Sequence, residues 1–280
     1  MKFLRIGLKG KEKPAVLDKN NKIRDLSSKI KDFNPENLDF EQINKLKNIN
    51  FESLPELSNS ERIGSCITKP GKFVGIGLNY SDHAAETGAK PPSEPIVFMK
   101  ATSSINGPND DIEISKDSKK LDWEVELGIV IGKNTKNISE NEAEDHILGY
   151  CLVNDISERE WQIEKMGQWV KGKSHDTYGP IGPYLVTKDE IKDINNLNLC
   201  LDVNGKRMQT GNSSTMIFNV FYLVSYLSKF MSLQAGDIIT TGTPPGVGMG
   251  MKPQVFLKAG DKLKLSIENL GEQNSKVVQE

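Results

Sequence analysis

The second part of this chain is a series of short apolar segments that turn-forming residues separate. Three of these segments are KFVGIGL at 72–78, EVELGIVIG at 124–132 and DIITTG at 237–242. Apolar runs of about four to eight residues between Gly, Asn and Pro are typical of β-strands. Two further segments, at 139–149 and 215–231, have helical spacing instead. Together they predict a mixed α/β, β-rich fold whose sheets close into a roll or sandwich.

The first seventy residues follow a different pattern. Residues 3–18 alternate like a pair of small strands, and apolar residues recur at helical spacing within 35–51. A polar connector bounded by Pro and Gly follows. A chain of 280 residues is near the upper end for one compact domain. The sequence therefore predicts a small N-terminal domain over 1–70 and a larger domain over 71–280.

Charge and hydropathy argue against two classes of partner. The formal net charge is -2 and charges of both signs are interspersed, so no basic stripe is available to follow a nucleic acid backbone. No run approaches the ~20 apolar residues of a membrane span, and charged residues interrupt the apolar start of the chain. Cys66, Cys151 and Cys200 lie far apart without a CxxC pattern, which argues against a disulfide or zinc framework. We expect a soluble cytoplasmic protein that binds neither nucleic acid nor membrane.

Two glutamates stand two residues apart in the apolar segment LDWEVELGIVIG. In a strand, Glu124 and Glu126 project from one face, and the neighbouring apolar side chains project from the other. The pattern fits a strand whose polar face is in water. It also fits two carboxylates that converge on a divalent cation, because two close anions away from water need neutralisation.

A third oxygen ligand is available after the next apolar run. Asp155 follows the run 149–153, at the end of a predicted strand. An Asp in this position can also be a turn or helix-capping residue. Carboxylates without nearby His or Cys favour Mg²⁺ over zinc, with Mn²⁺ or Ca²⁺ as alternatives.

The segment GIGLNYSDHAAETGAKPP predicts a short helix that acts as a hinged flap. His83 and Glu86 lie three residues apart on one face of this helix. A carboxylate that orients an imidazole raises its basicity, so the pair can form a general base. An exposed helix with a chance His-Glu pair fits the pattern as well.

Two glycine-rich loops are the remaining candidates for a site. Lys171 and Lys173 lie in the loop GQWVKGKSHDTYGPIGP and could bind an anionic substrate, although loop lysines are ordinarily solvated. The loop after DIITTG carries Thr243 between glycines, which could present amide hydrogens and a hydroxyl to a developing oxyanion. A plain turn is the alternative for this loop.

These motifs, read in order, resemble the fumarylacetoacetate hydrolase family. The resemblance rests on GLNYSDHAAE, EPIVFMK, DWEVELGIVIG, NDISERE, KGKSHDTYGPIGP, VNGKRMQ and TGTPPGVG, and it covers about residues 72 to 279. Seven motifs in series make it specific. Within the family, the chain is most similar to short members that act on acylpyruvates or 2,4-diketo-3-deoxy sugar acids.

The resemblance implies a β-roll catalytic domain, a homodimer and a set of site residues. It implies that Glu124, Glu126 and Asp155 hold Mg²⁺ or Mn²⁺. The remaining roles that it implies are activation of water by His83 and Glu86, a place near the reacting oxygens for Lys173, and substrate contacts by Arg159, Gln162, Thr243, Lys100 and Tyr178. Larger members have a further Asp ligand in a longer N-terminal part, and we find no counterpart here.

These parts predict a metal-dependent hydrolase that cleaves the C–C bond of a 2,4-diketo acid. Water activated by His83 attacks the distal carbonyl, the metal stabilises the enolate, and Lys173 with the Thr243 loop offsets charge on the oxyanion. Pyruvate and a second acid are the products. Three alternatives stay open: an oxaloacetate-type decarboxylase or tautomerase, a metal-free hydrolase in which the two glutamates are an acid-base pair, and a non-catalytic binder of keto acids.

Overall fold

The computed structural model describes residues 1–82, 86 and 90–280, and these residues are rich in strands. The strands are β1 (Lys2–Ile6), β2 (Lys13–Leu17), β3 (Ile23–Asp25), β4 (Ile63–Gly64), β5 (Phe73–Gly77), β6 (Ile96–Lys100), β7 (Ile105–Asn106), β8 (Ile112–Ile114), β9 (Leu121–Asp122), β10 (Val125–Ile131), β11 (Ile147–Asn154), β12 (Ser157–Glu158), β13 (Gly179–Pro180), β14 (Leu185–Thr187), β15 (Asn198–Val203), β16 (Lys206–Asn212), β17 (Ile238–Thr240), β18 (Lys262–Ile267) and β19 (Gly271–Gln279). The α-helices whose bounds lie within the described residues are α1 (Phe40–Lys47), α2 (Val170–Lys173) and α3 (Val220–Ser228). Short 3₁₀-helices cover Phe51–Ser53, Thr102–Ser104, Glu140–His146, Lys188–Glu190, Ser213–Thr215 and Gly248–Gly250, and Glu160–Glu164 form a π-helical turn.

The strands form two principal sheets. The larger sheet has the order β3-β2-β1-β14-β11-β10-β17-β5-β6, with β4 also paired to β1. The smaller sheet has the order β16-β15-β18-β19-β8, and β12-β9 and β13-β7 are two-stranded pairs. Most neighbours are antiparallel, whereas the pairs β17–β5, β19–β8 and β13–β7 are parallel. The mixed α/β, strand-rich fold class predicted from the sequence is therefore confirmed.

The central strands β10 and β11 are buried on both faces. On one face, Val125, Leu127 and Ile129 join a core cluster with residues of β15, β18 and α3, so the smaller sheet and this helix cover them. On the other face, Val130 and Cys151 belong to a second cluster with residues from the N-terminal segment and α1. This explains why the segment reads as a continuous apolar run in the sequence.

The N-terminal strands continue the larger sheet. The predicted strand pair at 3–18 is confirmed, since β1 and β2 pair antiparallel. On its other side β1 pairs with β14, where Lys2 faces Val186. The predicted boundary at residue 70 thus coincides with no break in this sheet, and the division into two domains stays a prediction.

Three predicted elements differ in extent. The strand predicted over 121–132 is two strands, because side chains accept the backbone hydrogens between them: Trp123 N donates to Asp122 Oδ1 over 2.9 Å and Glu124 N donates to Asn154 Oδ1 over 3.3 Å. The helix predicted at 139–149 is a 3₁₀-helix that ends at His146, and β11 begins at the next residue. The helix predicted at 215–231 is shorter, because Asn219 caps its start by accepting from Tyr222 N. None of the described helices is long and apolar enough to span a membrane.

Candidate active site

The side chains of the two glutamates project from one side of the backbone, and those of their apolar neighbours project from the other. Trp123, Val125 and Leu127 point into the core beneath the smaller sheet. Glu124 and Glu126 point the other way and line a cavity. Glu124 is 6% exposed and Glu126 is 1% exposed, so the alternative of a water-facing polar strand face is wrong.

Asp155 reaches the same place from the end of β11. β10 and β11 pair antiparallel with Val125 opposite Asn154, so the next residue of β11 lies beside Glu124. Asp155 N donates to the Glu124 carbonyl over 2.9 Å and fixes this register. One carboxylate oxygen from each of Glu124, Glu126 and Asp155 lies within 4.8 Å of the other two, and all three side chains are buried.

Three buried cations surround two of these carboxylates. Lys173 Nζ lies 2.6 Å from Glu124 Oε2 and 2.6 Å from Asp155 Oδ2. Lys100 Nζ lies 2.6 Å from Asp155 Oδ1. Arg159 Nη2 donates to Glu124 Oε1 over 2.7 Å. Lys173 is held there by α2, a single helical turn whose Gly172 packs with no room for a side chain against the Glu158 carbonyl.

The cations keep Glu124 ionised. Burial opposes the charge of Glu124, but Arg159 and Lys173 outweigh it and hold the pKa of this carboxyl far below its usual value. Burial likewise opposes the charge of Lys173, yet Asp155 and Glu124 hold the pKa of its ammonium above the usual value. Lys173 is therefore a proton-bearing cation in this site and is unsuited to act as a base.

Glu126 has the opposite electrostatic character. Its Oε2 accepts from Gly242 N over 2.8 Å and from the Thr240 hydroxyl. Burial, followed by the charges of Asp155 and Glu124, raises the pKa of Glu126 well above 4.5. Within the described part of the chain, no salt bridge to Glu126 is formed. This carboxylate lacks the compensation that its two neighbours have.

The three carboxylates fit a small divalent cation. Oxygens on opposite sides of an octahedral Mg²⁺ are about 4.2 Å apart, since each bond is about 2.1 Å long. The observed upper limit of 4.8 Å exceeds this by a few tenths of an ångström, which side-chain rotation can remove. The raised pKa of Glu126 indicates that its negative charge is unfavourable here without a further cation. Hard oxygen ligands without His or Cys match Mg²⁺ or Mn²⁺.

Glu124 and Glu126 form the polar end of a cavity of about 240 Å³, and Asp155, which is not in its lining, lies within 4.8 Å of them. The other polar side chains of the lining are Arg159, Gln162, Lys173 and Thr243. Ile76, Leu78, Phe98, Ile163, Trp169 and Met249 supply its apolar lining. The cavity is smaller than the ~300–1,000 Å³ typical of sites for drug-sized ligands, which favours a small polar molecule with a short tail.

Three of the five residues predicted to contact substrate line this cavity, and two do not. Arg159, Gln162 and Thr243 are in the lining. Lys100 lies one layer behind it, where its ammonium contacts Asp155. Tyr178 is fully buried in the core and packs against the His175 ring at 5.0 Å, away from the cavity. A substrate contact by Tyr178 is therefore not supported, because its loop turns the ring inwards.

The Thr243 hydroxyl has a structural partner. It donates to the Val125 carbonyl over 2.9 Å and accepts from Gln209 Nε2 over 2.8 Å. A hydroxyl has one proton, so it cannot serve an oxyanion while it makes this bond. The amide of Gly242 is likewise engaged with Glu126. These two groups hold the loop on β10, which corrects the expectation that they face a reacting oxygen.

The predicted catalytic pair is only partly described. His83 lies outside the described residues. The Glu86 carboxylate accepts from Gly246 N, with both of its oxygens 3.2 Å from that nitrogen. This contact brings Glu86 to the glycine-rich loop that follows β17, which also supplies Met249 to the cavity lining.

Asp122 is a site residue that the sequence reasoning missed. It is fully buried, and its carboxylate accepts from Gly248 N over 2.7 Å and Met249 N over 3.0 Å. Its Oδ2 also lies 2.8 Å from Arg159 Nε. Asp122 thus fixes both the guanidinium and the loop, and the sequence signal was an acidic residue two positions before the Glu-x-Glu pair.

Comparisons with known proteins agree with this fold. The family described as fumarylacetoacetate (FAA) hydrolase C-terminal matches residues 72–278. A protein of Burkholderia ambifaria, named in general terms as a hydrolase, is 58% identical over 274 residues, which are 98% of this chain and 97% of the relative. The chain belongs to the fumarylacetoacetate hydrolase family.

Two solved structures show how broad the activities in this fold are. Maleylpyruvate hydrolase from Sphingobium sp. SYK-6, in complex with manganese (II) ion and pyruvate, superposes with a TM-score of 0.84 at 25% identity, covering 100% of this chain and 99% of that one. The 5-carboxymethyl-2-hydroxymuconate delta-isomerase from Mycobacterium smegmatis superposes with a TM-score of 0.80 at 30% identity, with coverage of 100% and 99%. The fold therefore houses hydrolases and isomerases.

Proposed function

We propose that this protein is a metal-dependent hydrolase that cleaves the C–C bond of a 2,4-diketo acid to pyruvate and a second acid. The substrate is an acylpyruvate or a 2,4-diketo-3-deoxy sugar acid. The observation that carries the proposal is the convergence of Glu124, Glu126 and Asp155 within 4.8 Å, next to a cavity that the two glutamates and Lys173 line. Similarity to maleylpyruvate hydrolase, whose structure contains manganese and pyruvate, supports it.

The acidic residues would hold Mg²⁺ or Mn²⁺ at the polar end of the cavity. When bound, the cation supplies Lewis-acid stabilisation of negative charge on the 2-oxo group. Arg159 and Gln162, which also line the cavity, orient the carboxylate of the substrate. The Arg159–Gln162 hydrogen bond of 2.9 Å engages Oε1 of the glutamine and leaves its Nε2 donors for the ligand.

The remaining residues move protons and stabilise charge. His83, oriented by Glu86, takes a proton from water, whose oxygen forms a bond to the C4 carbonyl carbon. The ammonium of Lys173 stabilises the negative charge that develops on the C4 oxygen. The bond between C3 and C4 then breaks, its electron pair passes to C3 and the 2-oxo group, and C3 takes up a proton. The products are pyruvate and the acid formed from C4 onwards.

Pyruvate release tests the proposal directly. Metal-free protein is supplied with Mn²⁺ or Mg²⁺ and with a panel of acylpyruvates and 2,4-diketo-3-deoxy sugar acids, and lactate dehydrogenase with NADH reports pyruvate. We expect turnover that EDTA abolishes and that Lys173→Met removes. Lys171→Met is the matched control, because Lys171 is exposed two residues away. Absence of pyruvate from every compound would contradict the proposal.

A decarboxylase or tautomerase acting on oxaloacetate-like compounds is the second candidate. The same metal and cavity can stabilise the charge that develops in such reactions. These reactions need no attacking water. The isomerase from Mycobacterium smegmatis with the same fold favours this candidate. Product analysis separates the two: carbon dioxide release from oxaloacetate, or a change of tautomer without pyruvate release, would select the second.

We also propose a homodimer, as the family resemblance implies. β6 is an edge strand of the larger sheet, and its Val97 and Met99 are each 37% exposed. Phe230, at 66% exposure, lies across a groove from this strand. Exposed apolar side chains on an edge strand are common where a second chain covers them. Sedimentation velocity of the protein tests this, and a monomer at micromolar concentration would contradict it.

A further inference from the structure

Asp122 is fully buried one layer behind the cavity lining, and four hydrogen-bond donors surround its carboxylate. Oδ1 accepts from Trp123 N over 2.9 Å and from Gly248 N over 2.7 Å. Oδ2 accepts from Arg159 Nε over 2.8 Å and from Met249 N over 3.0 Å. An ionised carboxylate has about four lone-pair sites, so these bonds occupy all of them. Asp122 thus has no site left for a metal, a water or a substrate, and it acts only through its neighbours.

The first of these neighbours is the guanidinium that the proposed function assigns to the substrate carboxylate. Arg159 donates to Asp122, Gln162 and Glu124 among the described residues. A guanidinium has five N–H donors, so one N–H on each terminal nitrogen is left for a ligand. Glu124 is also a proposed metal ligand, and its charge is shared once a cation is bound. Asp122 has no part in holding the cation and continues to hold Arg159.

The second neighbour is the loop of residues 246–249, which receives Glu86. Two amides of this loop donate to Asp122, and Trp123 Nε1 donates to the Gly246 carbonyl over 3.1 Å. The amide of Gly246 in turn donates to the Glu86 carboxylate over 3.2 Å. In the proposed function Glu86 orients the general base, so the position of this loop sets the position of that base.

We propose that Asp122 is a positioning residue that couples substrate binding by Arg159 to the placement of the general base by Glu86. Arg159 Nε and Met249 N donate to the same oxygen of Asp122, so a displacement of the guanidinium reaches the loop through one atom. The inference rests on the proposed function. It adds to that function a residue that touches neither substrate nor metal.

Asp122→Asn tests the coupling because it keeps the size of the side chain and changes its donors. All four neighbours of Asp122 are donors, so the NH₂ group of asparagine would face two of them in either orientation. We expect KM for the 2,4-diketo acid to rise through Arg159 and kcat to fall through Glu86. Together they should lower kcat/KM by about 10–100-fold, the range for residues that orient the ligands of a metal site.

Asp237→Asn is the matched control for a merely structural role. Asp237 is also fully buried, and it accepts from two backbone amides, Lys72 N and Gln234 N, each over 2.8 Å. A cation, Lys72 Nζ, lies 3.0 Å from its Oδ2, and Asp237 is not in the cavity lining. Urea unfolding places both variants on one scale of stability. We expect both to be less stable than the unaltered protein, and only Asp122→Asn to change KM and kcat.

Two further measurements do not depend on turnover. Calorimetric titration of the Mn²⁺-loaded protein with pyruvate should show affinity about tenfold lower in Asp122→Asn, because a hydrogen bond that orients Arg159 is lost, and unchanged affinity in Asp237→Asn. Hydrogen–deuterium exchange of the Gly248 amide, followed by NMR, reports on the loop. Gly248 is not in the cavity lining, so pyruvate should slow its exchange only through Asp122. This slowing should be absent in Asp122→Asn.

The outcomes separate the inference from the proposed function. Unchanged KM, kcat and pyruvate affinity in folded Asp122→Asn would overturn the inference and leave the proposed function standing. Equal kinetic losses in Asp237→Asn would do the same, by showing that the losses follow stability. The Gly248 measurement on the unaltered protein needs no variant, and absence of slowing at saturating pyruvate would refute the coupling. No turnover of any diketo acid, with pyruvate bound and Gly248 protected, would instead overturn the proposed function and retain the coupling.

Discussion

Lys100 and Asp155 form an ion pair in which neither side chain is exposed, with Lys100 Nζ 2.6 Å from Asp155 Oδ1. The other oxygen of Asp155 pairs with Lys173, so two ammonium groups share one carboxylate. Burial and the nearby charge of Lys173 lower the pKa of Lys100, although Asp155 opposes the shift. Burial of the Lys100 ammonium therefore opposes folding, and its ion pair with Asp155 offsets only part of that cost.

This arrangement predicts a ranking of two lysine variants. Lys173→Met leaves two carboxylates without their shared cation and should destabilise the metal-free protein by about 3–5 kcal/mol, as expected when a buried pair loses one partner. Lys100→Met leaves Asp155 paired with Lys173 and should cost clearly less. Urea unfolding of both variants in EDTA measures the difference, with Lys171→Met as reference. A larger loss for Lys100→Met would show that the charges are distributed differently.

Metal should restore the more damaged variant. In Lys173→Met, Glu124 and Asp155 have lost a neighbouring positive charge, so they should bind a divalent cation more tightly, and Mn²⁺ should raise the melting temperature of this variant more than that of the unaltered protein. Differential scanning calorimetry at matched Mn²⁺ concentrations provides the measurement. Equal increments in the two proteins would show that the charge of Lys173 does not influence cation binding by these carboxylates.

Removing the charge of Glu126 should lower the affinity for metal without lowering the stability of the fold. Glu126→Gln keeps an oxygen that can accept from Gly242 N and the Thr240 hydroxyl, but it removes a charge that lies beside two other carboxylates. We expect Mn²⁺ affinity to fall by more than the ~10–100-fold typical of lost outer-shell contacts. The metal-free variant should be at least as stable as the unaltered protein. Electron paramagnetic resonance of free Mn²⁺ and urea unfolding measure these two effects, with exposed Glu61→Gln as control.

Glu126 should make the stability of the metal-free protein fall as the pH rises above 4.5. Its pKa is raised in the folded state, so the unfolded chain releases this proton first, and stability is lost as the pH rises through the folded pKa. The pKa of Glu124 is lowered, so its contribution is instead lost on acidification below the usual value of 4.5. Metal-free protein should therefore lose stability above pH 4.5, and Glu126→Gln should not share that part of the decline. Unfolding curves that stay parallel across this range would refute the assignment.

The sequence predicted the carboxylates of the site because local rules govern their placement. Alternation along a strand puts Glu124 and Glu126 on one side, and antiparallel pairing brings Asp155 to them. Contacts between distant segments were not predictable in this way. The bond from Asp122 to Gly248 spans 126 residues, and Gln209 reaches Val125 over 84 residues. No period or motif in one segment indicates which side chain in another will accept its backbone hydrogen.

The same limit explains why Tyr178 and the Thr243 hydroxyl have different surroundings from those that the sequence predicted. Tyr178 has a loop sequence that fits either a pocket or a core, and only the position of His175 and the surrounding strands decides for the core. Thr243 was expected near a reacting oxygen because its loop is rich in glycine. Its one proton goes to Val125, which becomes visible only when β10 and the loop lie side by side.

The pairing of β1 with β14 affects how the molecule can be divided. The family match begins at residue 72, yet β14 completes its backbone bonding with a strand from the first six residues. A chain shortened to the matched region would leave that side of β14 bare, next to β11, which carries Asp155 at its end. Unsatisfied strand edges recruit other strands. Such a fragment should accumulate as insoluble aggregates during expression, and supplying residues 1–70 as a separate peptide should recover soluble material.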